Sequence, residues 1–202
     1  MKKKKPRMVW AIVLAAGESR RMGEPKLLLP FGRSTMIETV VQNCMESSVD
    51  GILVVLGHQW SRILEKLKNY AVETTINPHY QKGMLSSVQW GFQKLPRGAG
   101  AAMVVLGDQP GVSSRIMDLV IHAFQSGPRG IALPMHKGSG GHPLLLDIKY
   151  RRDIQSLDCA VGLRGLLSCH PDDILRVEVG DTSVLQDIDN PGDYGKARTG
   201  KN

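Results

Sequence analysis

The sequence lacks two familiar phosphate-binding motifs. It contains no Gly-x-x-x-x-Gly-Lys-Ser/Thr segment, which excludes a P-loop nucleotide site. No Gly-x-Gly-x-x-Gly segment follows the first apolar stretch, so a dinucleotide-binding fold is unsupported. The apolar runs are also shorter than the ~18 residues that a membrane-spanning helix requires. We therefore predict a protein with no membrane partner, in which any phosphate group is held by another kind of loop.

Cysteine is scarce, with 3 residues among 202. Because the cysteines are odd in number and widely scattered, they indicate no disulfide framework and favour a reducing compartment. A basic start followed by an apolar run resembles a secretory signal peptide. Cleavage near Ala16 would remove the first strand of a regular α/β pattern, so we interpret this run as part of the folded protein. These features predict a cytoplasmic protein.

Aromatic residues make up only 5% of the chain, and no basic stripe carries interleaved aromatics. The net charge is +7, but Lys2–Lys5 and the cations of residues 20–26 supply much of it. This distribution favours a small polyanionic ligand over a nucleic acid, and we expect no nucleic-acid partner. The length suffices for one core, which predicts a single domain over residues 1–202, with residues 1–7 as a disordered basic tail.

Short apolar runs alternate with segments of helical periodicity. The runs Val9–Ala16, Gly51–Leu56 and Ala101–Leu106 are typical of strands buried on both faces of a parallel sheet. The alternating segment Ile174–Val179 is typical of an edge strand. Strands separated by helices over this length predict an α/β fold, a three-layer α/β/α sandwich around a Rossmann-like, mainly parallel sheet.

The first predicted strand runs directly into a small cationic loop, Gly17–Lys26. Such a loop presents backbone N–H groups and positive charge at the carboxyl edge of the sheet, where open α/β sheets bind ligands. Phosphate is the ligand that this arrangement fits best. A solvated basic loop without a ligand is the alternative interpretation.

Asp108 directly follows the third buried strand and a glycine, and Pro110 ends any extension of that strand. Its carboxylate is expected to face the cationic loop from a neighbouring strand end. Mg²⁺ prefers one or two carboxylates together with substrate phosphate oxygens, so this position predicts a magnesium ligand. The alternative is an aspartate that only stabilises a turn before Gln109–Pro110.

Five motifs lie in order along nearly the whole chain, and together they resemble the signature of the molybdenum-cofactor nucleotidyltransferases. This family belongs to the wider superfamily of nucleotide-diphospho-sugar transferases. The Leu-Ala-Ala-Gly and Gly-His-Pro motifs resemble its cytidylyltransferase branch. The segment Asn190–Gly192 departs from the usual Thr-Pro-Glu, and Lys137–Gly140 lacks an arginine often found there. The five motifs are Leu14–Leu29, Asn77–Ser87, Gly107–Pro110, Gly141–Pro143 and Asp187–Tyr194.

The resemblance implies a fold of the nucleotide-diphospho-sugar transferase type and a Mg²⁺-dependent reaction. The expected reaction transfers CMP from CTP to the terminal phosphate of molybdopterin, or of its molybdenum form, and releases pyrophosphate. A molybdenum hydroxylase is then the expected recipient of the product. Two alternatives remain open at this point: a nucleotidyltransferase acting on a sugar or alcohol phosphate, and a non-catalytic cofactor carrier.

The resemblance also implies roles for individual residues. Arg21, Lys26 and Asp108 are the expected catalytic residues, and Asp108 and Asp189 the expected metal ligands, with Asp187 as the rival for the second position. A surface turn is the alternative for both Asp187 and Asp189. Among the expected binding residues, Ser87 could instead cap a helix, and His142 could instead only pack beside Pro143. The expected nucleotide- and substrate-binding residues are Leu14, Ala15, Ala16, Gly17, Ser19, Lys26, Gly83, Ser87 and His142.

Overall fold

The computed structural model describes residues 7–199 and has an eight-stranded sheet at its centre. Seven helices accompany the strands over this range. The strands are β1 Val9–Ala15, β2 Pro30–Phe31, β3 Ser34–Thr35, β4 Gly51–Leu56, β5 Glu73–Ile76, β6 Ala101–Leu106, β7 Ile131–His136, β8 Ser139–Gly140, β9 Leu144–Asp147 and β10 Ile174–Glu178. The helices are α1 Met36–Met45, α2 Trp60–Leu67, α3 Met84–Lys94, α4 Ser114–Ser126, α5 Arg151–Ser156, α6 Arg164–Cys169 and α7 Pro191–Thr199.

The sheet has the strand order β10-β7-β9-β6-β1-β4-β5, with β8 paired to β7, while β2 and β3 form a separate hairpin. Strand β1 pairs in parallel with β4 and β6. Strand β9 alone among the long strands runs antiparallel, to both β6 and β7. The prediction of a mainly parallel sheet is therefore confirmed. The predicted edge strand is also confirmed, because β10 lies at one end of the sheet.

Helices cover both faces of the sheet, which confirms the three-layer sandwich. Successive side chains of a strand point to opposite faces, and β1 follows this rule with fully buried residues. Val13 and Ala15 pack in the core shared with α1, α2 and α4, whereas Ile12 packs in the core shared with α3, α5 and α6. Helix α1 begins with a capping box, in which the Thr35 backbone N–H donates to Glu38 Oε2 at 2.9 Å.

The predicted basic tail falls mostly on residues 1–6, which lie outside the described residues. The structure corrects its boundary at Arg7. This guanidinium forms an ion pair of 3.1 Å with Asp147 and lies 4.6 Å from the ring centroid of Phe124, so Arg7 packs against the fold. No helix within residues 7–199 has the length and apolar character needed to cross a bilayer.

Candidate active site

A cleft of about 970 Å³ opens at the carboxyl edge of the parallel strands. The register brings Ala15 of β1 beside Leu56 of β4, and Leu14 beside Leu106 of β6, so the loops after these strands emerge together. Strand β9 contributes its beginning to the same edge because it runs in the opposite direction. The cleft therefore collects loops that are far apart in the sequence, as expected of an open α/β sheet.

The loop after β1 folds back so that its last cation returns to the cleft. Ser19 adopts the left-handed conformation with φ 54°, and its Oγ accepts a hydrogen bond of 3.2 Å from the Lys26 backbone N–H. The Ser19 carbonyl accepts a second bond, of 2.9 Å, from the N–H of Met22. These contacts fix a compact loop that presents Arg21 and Lys26 to the cleft.

Lys26 lies at the centre of an ion-pair cluster. Its Nζ is 2.5 Å from Asp108 Oδ2 and 3.0 Å from Asp189 Oδ1, and its side chain is only 12% exposed. Arg21 joins the cluster through an ion pair of 2.8 Å with the second oxygen of Asp189. At Gly107 a Cβ would lie 2.7 Å from the Leu14 carbonyl oxygen, so glycine allows the close approach that carries Asp108 into position.

The charges of the cluster stabilise one another. Burial by itself would lower the pKa of Lys26, but the neighbouring carboxylates of Asp108 and Asp189 outweigh it and the pKa is raised. Burial would raise the pKa of Asp189, but hydrogen bonds and charge from Lys26 and Arg21 hold it below its usual value. Both groups are therefore ionised at neutral pH.

A third carboxylate, Asp187, lies at the edge of this cluster. Gln109 Nε2 donates to Asp187 Oδ1 at 2.7 Å. Partial burial of the carboxyl group and the negative charge of Asp108 raise the pKa of Asp187. Burial lowers the pKa of nearby His142 although the charge of Asp187 opposes this, so the imidazole is neutral at pH 7.

The carboxylates of the cleft are compatible with a magnesium ion that is also coordinated by oxygens of a bound triphosphate. Within residues 7–199, no three His, Cys, Asp or Glu side chains form a group that could hold a metal ion by themselves. Asp108 and Asp189 nevertheless contact the same ammonium group, so both reach one point of the cleft. Mg²⁺ commonly takes one or two carboxylates and fills its remaining positions with phosphate oxygens and water.

Ala15 is the one residue of the predicted site that the structure places away from the cleft. Its side chain is fully buried in the core on the α1 face of the sheet, because alternate residues of β1 point to opposite faces. The predicted site residues that line the cleft are Leu14, Ala16, Gly17, Ser19, Arg21, Lys26, Gly83, Ser87, Asp108, His142 and Asp189.

Ser87 does not cap helix α3. The N-cap position belongs to Gly83, and Ser86 and Ser87 lie buried in the first turns of the helix. Asn77 Nδ2 donates to the hydroxyl oxygens of both serines at 3.0 Å. Asn77 therefore ties the end of β5 to the start of α3, and this contact fixes the wall of the cleft around Gly83.

Several residues of the cleft were not predicted from the sequence. Tyr80 belongs to the Asn77–Ser87 motif but was given no role in the site. Leu133 belongs to a strand whose apolar pattern indicated only the core. Arg164 begins a short helix in a segment with no strand end before it, so the sequence carried no signal for its place in the cleft. Other residues of the cleft to which the sequence analysis gave no site role include Leu27, Gln81, Met84, Leu106, Gly140, Leu144, Val161, Gly162, Leu163, Leu167, Val184 and Leu185.

The comparisons with known proteins agree with this geometry. The MobA-like NTP transferase domain matches residues 11–174, which include the cationic loop, Asp108, His142 and Arg164. The molybdenum cofactor cytidylyltransferase of Escherichia coli (strain K12) is 28% identical over 188 residues, covering 93% of this chain and 94% of that protein.

The chain is also similar to two proteins whose names state different activities. The nicotine blue oxidoreductase of Paenarthrobacter nicotinovorans is 25% identical, over 90% of this chain and 92% of that protein. The structure of a nucleotidyl transferase from Methanothermobacter thermautotroptrophicus has a TM-score of 0.80 and 26% identity, covering 96% of this chain and 97% of the other. The predicted fold is thus confirmed over nearly the whole chain.

Proposed function

This chain belongs to the MobA-like NTP transferase family, and we propose that it transfers CMP from CTP to the terminal phosphate of molybdopterin or of its molybdenum form. The reaction would require Mg²⁺ and release pyrophosphate. Membership of the family supports nucleotidyl transfer. Similarity to the cytidylyltransferase of Escherichia coli supports the choice of CTP and of a molybdopterin acceptor.

The observation that carries the proposal is the cluster of Lys26, Asp108 and Asp189 beside the loop after β1. A buried ammonium that contacts two carboxylates, next to open backbone and a second cation, suits a triphosphate with its metal ion. A carrier that only binds a cofactor has no need for a metal carboxylate opposite a phosphate loop. The cluster therefore favours catalysis over simple transport.

In the proposed reaction, an oxygen of the acceptor phosphate attacks the α-phosphorus of CTP. A new phosphorus–oxygen bond forms, and the bond to the bridging oxygen breaks, so that pyrophosphate leaves with the electron pair. Little covalent chemistry is needed from the protein, because alignment and charge neutralisation supply most of the rate. Lys26 and Arg21 would oppose the charge that develops on the phosphorus centre and the leaving group.

The two carboxylates and the loop would divide the remaining tasks. Asp108 and Asp189 would hold Mg²⁺, which supplies Lewis-acid neutralisation of the triphosphate oxygens when bound. The backbone N–H groups of residues 16–19 would bind phosphate oxygens, and Gly83 with Ser87 would shape the nucleotide side of the cleft. His142 would contact the acceptor as a neutral imidazole.

A nucleotide panel tests this function directly. The purified protein is incubated with Mg²⁺, molybdopterin and either CTP, GTP, ATP or UTP, and pyrophosphate and the dinucleotide product are measured. We expect release with CTP, and the same nucleotide should give the largest rise in melting temperature. Release with another nucleotide, or only with a sugar or alcohol phosphate, would reassign the substrate. Tight pterin binding without pyrophosphate release would indicate a carrier. Delivery to a molybdenum hydroxylase and a cytoplasmic location remain predictions.

A further inference from the structure

The cleft extends beyond the phosphate loop to a second wall. Strand β6, with Asp108 after it, lies in the middle of the sheet order. The loop of residues 17–26 and Gly83 lie on the β1-β4-β5 side, whereas His142 and Leu133 belong to the β9-β7 side. Asp108 thus marks the boundary between a nucleotide half and a second half.

Helix α6 contributes to the wall of this second half. The ring of His170, directly after α6, lies 4.7 Å from the ring of Tyr150, which follows β9 closely. The end of α6 is therefore near the end of β9. Arg164, the first residue of α6, lines the same cleft as Leu144, the first residue of β9. Gln89 of α3 donates to the carbonyl of Leu157 at 3.2 Å, which fixes the segment before α6.

Arg164 differs from the other cations of the cleft in its pairing. Arg21 and Lys26 contact Asp189, and Arg20 forms an ion pair with Glu18. Within residues 7–199, the Arg164 guanidinium has no ion pair and no side-chain hydrogen bond. Its five N–H donors are therefore available to an anion that enters the cleft.

Apolar side chains line the same cleft as Arg164. Val161 is 54% exposed and Leu185 is 40% exposed, although both border the cleft. Leu133 and Leu167 add further apolar surface to the cleft. An apolar surface next to one unpaired guanidinium suits a planar ring system that carries a negative group, because the ring covers the leucines while the anion meets the arginine.

We propose that Arg164 binds the anionic group of the acceptor and that Val161, Leu133 and Leu185 contact its ring. This inference rests on the proposed function, because it assigns the second half of the cleft to the acceptor. Arg164 would then be a specificity-determining residue, which selects a phosphorylated pterin over a neutral one. A bidentate contact between guanidinium and phosphate would also orient the phosphate toward the nucleotide half.

The test compares binding of two fluorescent probes, 6-hydroxymethylpterin phosphate and unphosphorylated 6-hydroxymethylpterin, to the full chain. We expect the wild type to prefer the phosphorylated probe. Arg164→Ala should weaken binding of that probe roughly tenfold and leave the neutral probe within about twofold. Arg164→Lys should keep part of the preference, because it retains the charge but loses the bidentate geometry.

Arg152→Ala is the matched control. Arg152 is exposed on neighbouring helix α5 and does not line the cleft, so its removal changes the net charge equally. Affinity for CTP with Mg²⁺ should stay unchanged in both alanine variants. Equal binding of the two probes by the wild type, or an undiminished preference in Arg164→Ala, would overturn the inference, and so would an equal loss of CTP affinity.

These binding measurements need no turnover, so they separate the two proposals. If Arg164→Ala loses the preference for the phosphorylated probe while no nucleotide gives pyrophosphate, the proposed reaction fails and the role of Arg164 stands. If CTP gives pyrophosphate and the preference is unaffected, the reaction stands and the role of Arg164 is wrong.

Discussion

The protein contains two lysine–aspartate clusters at opposite edges of its sheet. Lys26 and Asp108 meet at the carboxyl edge, with Nζ and Oδ2 2.5 Å apart. Lys149 and Asp173 meet at the other edge, just before β10, with Nζ and Oδ2 2.6 Å apart. The contact distances are nearly equal, yet the surroundings of the two carboxylates differ completely.

Asp173 has its acceptor capacity filled by the fold. It accepts from the backbone N–H of Gly130 at 3.0 Å, from Lys149, and from the hydroxyl of Tyr150. Asp108, within residues 7–199, accepts side-chain contacts from Lys26 alone. A carboxylate whose oxygens accept hydrogen bonds from several parts of the fold stabilises the structure. A carboxylate that faces a cleft and keeps free lone pairs can bind a metal ion. The following predictions test this distinction.

The largest expected effect is on turnover. Lys26→Ala should reduce the rate of pyrophosphate release roughly a hundredfold or more, because it removes a charge that opposes the developing negative charge. Lys149→Ala, the matched change in the other cluster, should keep the rate within about twofold. Steady-state rates with CTP, Mg²⁺ and molybdopterin provide the measurement. A near-normal rate in Lys26→Ala would remove this lysine from the mechanism.

The Mg²⁺ dependence of the rate should change on substitution of Asp108 but not of Asp173. Asp108→Asn keeps the shape of the side chain but loses its negative charge, so the Mg²⁺ concentration for half-maximal rate should rise roughly tenfold or more. Asp173→Asn should leave that concentration unchanged, since its side chain lies at the opposite edge of the sheet. A magnesium titration at saturating CTP measures both. An equal shift in the two variants would refute the assignment of Asp108.

The central strands and the position of Asp108 could be predicted from the local sequence. Gly51–Leu56 and Ala101–Leu106 were predicted with the bounds that the structure shows, because a run of buried apolar residues between turn residues defines a central strand. Asp108 was predicted as a candidate from its position after such a strand. Ala15 shows the limit of motif reasoning, since the alternation of β1 directs its side chain into the core and only its neighbours reach the cleft.

Other features depend on tertiary contacts that no local pattern records. The three leucines of β9 are equally apolar in either direction, and the antiparallel direction arises from the tight turn at Lys137 and Gly138, both with positive φ. Arg164 reaches the cleft because α6 and β9 share a core, to which Leu166 and Leu144 belong. The tie through Asp173 likewise joins residues from three separate segments.

For stability, in contrast to turnover, the Lys149–Asp173 cluster should matter more than the Lys26–Asp108 cluster. Asp173→Ala removes the acceptor of the Tyr150 hydroxyl and the Gly130 N–H, and we expect the free energy of unfolding to fall by roughly 1–3 kcal/mol. Asp108→Ala should cost less, because the lost carboxylate also relieves repulsion with Asp187. Urea denaturation of both variants measures this. A larger loss of unfolding free energy in Asp108→Ala would mean that the Lys26–Asp108 cluster contributes more to stability than the Lys149–Asp173 cluster.

The contribution of the Lys149–Asp173 cluster to the free energy of unfolding should depend on pH in the acid range. Burial alone would raise the pKa of Asp173, but hydrogen bonds from Lys149 and Tyr150 lower it from 3.8 to about 2. Because the folded pKa lies below the unfolded value, the stabilisation is fully present above pH 3.8 and is lost as the pH falls toward about 2. The difference in unfolding free energy between the wild type and Asp173→Asn should therefore shrink over this interval. A difference that stays constant with pH would show that Asp173 contributes shape and packing rather than charge.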